Sequence, residues 1–334
     1  MRTIIRAFCG LALGSASAAY ADFSWELAGF VGQSERGDRS ESDTAVLSAA
    51  YYLDDVADGD GPPALAAFLD PTTNLFAAVS EDEATIDFGN GPVPETESSE
   101  YTIGGTYVFS RSKWYAGGRY SSGEFDEPQV PLSPPVPVAS DSDNTRYALV
   151  AGKYLGTTRL ELSVERSKLE TEQSFTFCPI FPITCFLTSV SSETRLDTER
   201  LDVKHVGRIR SATYAVFGGI SSGDAHLDTH LTITPLPPGP IAGGLPDLDL
   251  YSVDTYAIGA ELYPIPSVGV RLGYTRADRS TFTPGPGLPD EDTLGVGVSW
   301  FFRRNVGFEV TLTSVDTELL PRGEGATLRV IGRL

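Results

Sequence analysis

From Asp290 to Asp316 apolar and small or polar residues alternate. Leu294, Val296, Val298, Trp300 and Phe302 stand at every second position, with Gly295, Gly297 and Ser299 between them. After Arg303-Arg304-Asn305 the pattern resumes, with Val306, Phe308, Val310 and Leu312 set against Gly307, Glu309, Thr311 and Thr313. Successive side chains of a strand point to opposite faces, so this stretch predicts a hairpin with one apolar face and one small or polar face. In a soluble sandwich the apolar face would look into a core. In a membrane barrel it would look out at lipid, and the other face would line the interior.

Twelve further segments alternate in the same way: 23–32, 45–53, 74–80, 101–109, 114–122, 145–155, 159–168, 196–206, 213–221, 253–263, 268–275 and 326–334. In the first, Phe23, Trp25, Leu27 and Val31 share the apolar face. Five connections are tight, around Arg111, Gly156, Arg208, Pro264 and Arg304, and they alternate with long loops rich in Asp, Glu, Pro and Gly. The longest predicted loop is 225–250. Residues 54–72 are the exception on the tight side; within them Gly61–Leu69, GPPALAAFL, reads as a helical turn started by proline.

An even strand number with alternating loop lengths predicts an all-β, transmembrane antiparallel β-barrel of about 14 strands, with 12 to 16 allowed, short periplasmic turns and both termini periplasmic. Trp25, Tyr51, Phe109, Trp114, Trp300 and Phe302 lie beside the tight turns, where an aromatic girdle is expected. No stretch after the N-terminus approaches the roughly 20 apolar residues of a spanning helix.

Composition strengthens the barrel reading over a soluble one. The chain has 34 Gly, 14 Tyr and 17 Phe, and its single Met is the initiator. At the N-terminus Arg2 and Arg6 precede an apolar run that ends in Ala19-Tyr20-Ala21. This predicts a signal peptide over 1–21 and an outer-membrane barrel over 22–334, reached by Sec-type export and cleavage. Loss of the two arginines would take the net charge from -20 to -22. Cys178 and Cys185 then form a close pair in an oxidising compartment, which predicts a small disulfide-closed loop.

Strand parity assigns thirteen charged residues to the interior: Glu26, Arg119, Arg159, Glu161, Glu165, Arg200, Asp202, Lys204, Glu261, Arg271, Glu309, Arg329 and Arg333. Seven are basic and six acidic, so the negative charge belongs mostly to loops such as 54–60 and 81–83. An acidic rim would enrich cations, although exposed charges are screened within about 8 Å at physiological salt. The same loops would equally serve solubility or bridge divalent ions to lipopolysaccharide. Arg159, Glu161 and Glu165 beside Arg200, Asp202 and Lys204 suggest opposite charges facing across neighbouring strands, either as a selective constriction or as mutual neutralisation. For Lys153 and Tyr154 the parity is ambiguous.

Asp224, His226, Asp228 and His230 would share a face if their strand continued above the membrane, a weak metal or acid–base candidate. No second matching pair and no Ser/His site accompanies them, so neither a catalytic residue nor a cofactor is predicted.

Tyr51-Tyr52-Leu53, the acidic stretch after it and Gly61–Leu69 together resemble a motif close to GPLAEAAFL in proteobacterial outer-membrane porins. The resemblance implies a general porin, a channel for passive diffusion of small hydrophilic solutes or ions. Its expected partners are outer-membrane lipid and lipopolysaccharide, the barrel-assembly machinery and small solutes, with no nucleic acid. A homo-oligomer is allowed but no strand identifies its interface. One departure is the final Leu334, where such barrels commonly end in Phe or Trp. The alternatives are a structural or adhesive barrel with a plugged lumen and functional surface loops, and, less favoured, a rim-located hydrolase.

Overall fold

The computed structural model describes residues 23–37, 40–57, 61–86, 95–126, 139–177, 186–235, 241–244, 248–281, 289–317 and 321–334. The predicted leader and the Cys178–Cys185 loop lie outside them. The strands are β1 (Phe23–Arg36), β2 (Ser40–Val56), β3 (Asn74–Ile86), β4 (Glu95–Val108), β5 (Trp114–Asp126), β6 (Ala139–Leu155), β7 (Thr158–Phe177) and β8 (Phe186–Ile209). The second half holds β9 (Ala212–Pro235), β10 (Ile241–Gly244), β11 (Leu248–Ile265), β12 (Val268–Thr281), β13 (Glu291–Arg303), β14 (Val306–Thr317) and β15 (Gly323–Arg333).

Each strand pairs antiparallel with its neighbours, and β15 returns to pair with β1, so the sheet closes. The short β10 folds back on the far part of β9, and β9 also pairs with β11. Fourteen strands therefore form the closed antiparallel wall. Closure leaves no unpaired edge, the condition under which a sheet can face hydrocarbon.

All fourteen predicted segments are strands, including the short 74–80. The strands differ mainly in length. β8 and β9 have 24 residues each, well beyond the 9–11 or so needed to span a bilayer. Residues 225–235, expected within a loop, continue β9 because Ala225–Pro235 pair with Phe186–Leu196 of β8. Ala225, Leu227, Leu231 and Ile233 alternate here with His226, Asp228, His230 and Thr232, so the period of two carries on past the predicted end of the strand.

The outer face is the apolar one. Leu75, Ile103, Leu149, Leu162, Ile220, Ile258, Leu272, Val296 and Leu312 are all exposed on the isolated chain. The six girdle aromatics are exposed as well, with Trp25 against Tyr51 and Trp300 against Phe302. Parity fails at two places. Ser24 N–H and Trp25 N–H both donate to the Leu334 carbonyl, each at 2.9 Å, a bulge that turns Phe23 into the interior against Tyr52. Val306, beside a second register shift between Phe301 and Arg303, is buried, so the exposed row of β14 is carried by Val310 and Leu312.

The interior is not uniform. At the tight-turn end a piece of the connection after β2 folds inward as a 3₁₀ turn, Pro63–Leu65, running into the one-turn helix α1 (Ala66–Leu69). Leu65 is enclosed with Val206, Ala215 and Tyr263, while Ala66 joins Phe23, Tyr52 and Val56. Ala64 packs on the third cluster, Ala28, Phe301 and Ile331. Burying side chains the size of Leu65 contributes roughly 1.5–3 kcal/mol each, enough to hold so short a segment in place. Inward aromatics there lie flat over glycines of the next strand: a Cβ at Gly152 would fall 2.3 Å from Tyr115 Oη, and one at Gly307 2.7 Å from the Phe301 ring. Part of the glycine content is therefore a packing requirement.

Candidate channel interior

Above this plug the barrel encloses a cavity of about 900 Å³, joined by shared residues to a smaller one of about 190 Å³ that reaches Ala64 of the plug. Every one of the thirteen residues assigned inward lines one of the two. Arg119, Arg159, Glu161, Glu165, Arg200 and Asp202 line the larger cavity; Glu26, Glu309, Arg329 and Arg333 line the smaller; Lys204, Glu261 and Arg271 line both.

Alternation puts these side chains inside, and strand register decides their partners. Glu161 lies opposite Asp202 and Arg159 opposite Lys204, so directly facing positions carry like charges. The expected opposite-charge ladder between β7 and β8 is not formed. The ions pair along a strand or with a strand two places away instead: Arg200 binds Asp202 through Nε and Nη2 at 2.5 and 2.8 Å, and Arg159 Nη1 stands 3.7 Å from Glu161. Arg119 reaches Glu165 two strands away.

Charges of alternating sign run round the lower wall. Arg333 pairs with Glu26 at 2.9 Å, Glu26 with Arg329 at 3.9 Å, and Arg329 with Glu309 at 3.8 Å. Glu309 then meets Arg271, Arg271 meets Glu261, both at 3.7 Å, and Glu261 meets Lys204 at 3.8 Å. Each of the three glutamates serves two cations. An ion removed from water is tolerated when its lone pairs or protons are engaged in this way.

The plug touches this wall at its tip. Lys204 Nζ sits 5.2 Å and Arg159 Cζ 5.9 Å from the centre of the Phe68 ring, whose edge meets Tyr154. Arg333 Nη1 donates to the Pro63 carbonyl, and its guanidinium stacks on Phe23 and Phe301. Sequence reading placed 54–72 on the tight-turn side but missed that Pro63–Leu69 enters the lumen. The signal was there, since five apolar residues in Ala64–Phe68 need an apolar partner that a periplasmic turn would not supply. Tyr154 faces inward, and Lys153 lies outside over the Trp114 ring, which resolves their parity.

Asp224, His226, Asp228 and His230 do share the outer face of β9, beyond the apolar band. Their cross-strand neighbours on β8 are Asp197, Arg195, Glu193 and Ser191, and His230 Nε2 lies 3.7 Å from Asp228. Among the described residues no group of three or more His, Cys, Asp or Glu side chains could hold a metal ion.

No family model and no curated protein matches this chain. Among solved structures it is similar to the outer membrane protein Omp33 of Acinetobacter baumannii, at 17% identity and TM-score 0.50 over 93% of this chain and 98% of that one. A deletion mutant of the monoaromatic hydrocarbon channel TodX matches at 11% identity and TM-score 0.58, covering 97% of this chain and 93% of that one. The toluene transporter TbuX of Ralstonia pickettii matches at 10% identity and TM-score 0.56, covering 94% and 90%. At these identities the likeness is one of fold. These neighbours are outer-membrane β-barrels.

Proposed function

We propose that this protein is an outer-membrane channel for passive diffusion of small hydrophilic solutes, exported with its leader removed and oriented with the tight turns in the periplasm. The observation that carries this reading is the ionised wall. Thirteen charged side chains face cavities inside a barrel whose outer face is apolar. Ionised groups at that density keep water in a lumen, and a water-filled lumen is a path for polar solutes. The kinship with general porins suggested by the sequence belongs to the same proposal.

The hydrocarbon cargoes named for TodX and TbuX fit this wall less well. An apolar ring sliding past Arg200, Asp202 and Arg271 would strip water from charges without replacing it.

A second reading has its own observation, the plug. Pro63–Leu69 fills the tight-turn end, as a structural barrel with working surface loops would require. Swelling of proteoliposomes in sugars of graded size separates the two. A diffusion channel admits the smaller sugars at a rate that scales with protein content; a sealed barrel gives the rate of empty vesicles.

A further inference from the structure

The ion pairs of the central cavity share an asymmetry that neither the net charge nor strand parity reveals. The Arg200 side chain is 54% exposed and its partner Asp202 20%; Arg119 is 50% exposed and Glu165 27%; Arg271 is 48% exposed and Glu261 12%. In each pair the carboxylate lies back against the wall and the guanidinium stands in the water.

Local chemistry explains the arrangement. Glu161 is held at the wall by Tyr115 Oη, which donates to it at 2.6 Å, and Glu261 accepts a hydrogen bond from Tyr263 Oη at 3.1 Å. The Arg271 guanidinium rests on the Phe217 ring at 5.0 Å, 3.7 Å from each of Glu261 and Glu309 and so beyond direct hydrogen bonding to either. Arg200 gives Asp202 only two of the five N–H donors a guanidinium carries.

We propose that the centre of the lumen selects and binds small anions, carboxylates or phosphates, on Arg119, Arg200 and Arg271. These arginines come from β5, β8 and β12, three strands apart in turn around the wall, and all line the larger cavity. Planar N–H forks from separate directions suit an oxyanion, which accepts bidentate bonds. The cavity wall holds five basic groups, with Arg159 and Lys204, and four acidic ones, Glu161, Glu165, Asp202 and Glu261. Arg159 and Lys204 are turned to the Phe68 ring of the plug, which leaves the three arginines as its open cations.

Acidic residues outside the cavity, such as the exposed Asp54 and Asp55, act in the opposite sense. Their charges face solvent and are screened over about 8 Å, whereas the arginines act on a solute at contact. Sign inside and sign outside therefore separate, and an anion is selected by a protein of net charge -20.

For its transport readout the inference rests on the diffusion-channel reading; anion binding itself does not. Purified full-length protein in planar bilayers under a potassium chloride gradient should give a zero-current potential displaced toward the chloride equilibrium value. The variant R119Q/R200Q/R271Q leaves two basic against four acidic groups in the cavity and should shift the potential toward the potassium value. Triple lysine substitution, which keeps the charges, should retain the sign. A wild-type potential on the potassium side, or one unmoved by the glutamine variant, overturns the proposal.

Absence of current in the wild type would defeat the channel reading and not this one. Calorimetric titration of the detergent-solubilised protein with inorganic phosphate then decides. Saturable binding that is lost in the glutamine variant supports the site, and no binding by the wild type overturns it. Heat-modifiable migration on gels confirms that each variant is a folded barrel.

Discussion

Arg333 of the last strand donates from Nε to Glu26 of the first at 2.9 Å, a direct cross-strand pair at the seam where the barrel closes. The same guanidinium bonds the Pro63 carbonyl and lies over Phe23 at 4.6 Å. One side chain thus ties seam, bulge and plug together. It is 5% exposed, the most buried cation of the lumen pairs.

Arg333→Met should therefore be costly. Removing one partner of a buried ion pair costs about 3–5 kcal/mol, and the lower end applies because Glu26 keeps Arg329 at 3.9 Å. Urea unfolding of the refolded barrel in lipid vesicles measures this. The double variant E26Q/R333M should lose less than the sum of the single changes, since no orphan carboxylate remains. Loss of under about 0.5 kcal/mol on Arg333→Met, the range of an ordinary surface substitution, would mean that the seam does not depend on the pair.

The plug should restrict flow and contribute stability together. Replacing Pro63–Leu69 by a Gly/Ser linker of equal length removes the apolar side chains that fill the tight-turn end. Conductance should rise and the unfolding midpoint fall. Phe68→Ala is the milder test: it removes the ring that Lys204 and Arg159 flank and should raise conductance with a smaller loss of stability than the linker variant. Unchanged conductance in the linker variant would show that the narrowest point lies elsewhere.

Opposite faces of one strand should respond oppositely to charge. Leu272 faces outward midway along the apolar row of β12, between Val270 and Tyr274, and Leu272→Arg should destabilise the barrel in bilayers by roughly 2–4 kcal/mol. Thr275→Arg, whose side chain lines the central cavity, should leave stability nearly unchanged and alter conductance. Equal unfolding midpoints for the two would contradict the assignment of faces.

Beyond the apolar band, Arg166 donates through Nε and Nη2 to Asp197, and this bond holds the Asp197 carboxyl below the usual range. Since the folded value is depressed, the associated stability is present above the ordinary aspartate range and is lost as pH falls through the folded value, that is, below about pH 4. Both groups are well exposed, so the effect is small. Asp197→Asn should flatten the acid limb of the stability profile and leave neutral pH almost untouched; an equally steep limb would rule the pair out as its source.

Much of this architecture was legible in the sequence because a barrel wall repeats one rule. Lipid outside and water inside impose period two, so Leu294 to Phe302 could be read outward and Glu309 inward without any contact being known. Register is not contained in that rule. Which charge faces which depends on how neighbouring strands slide, and Glu161 came to face Asp202. Phe23 was misread because a bulge adds one residue to the count. The plug was missed for a different reason: Gly61–Leu69 has helical character whether it lies in a turn or in a lumen, and the apolar run Ala64–Phe68 asks for an apolar partner without saying that Val206, Ala215 and Tyr263 supply it inside the barrel.

The central claim is that solutes pass through this interior. Single-channel recording of the purified protein in planar bilayers tests it most directly, with the Pro63–Leu69 linker variant recorded alongside. Discrete steps in the wild type that grow larger in the linker variant are the predicted result. Both proteins folded, inserted and silent would contradict it.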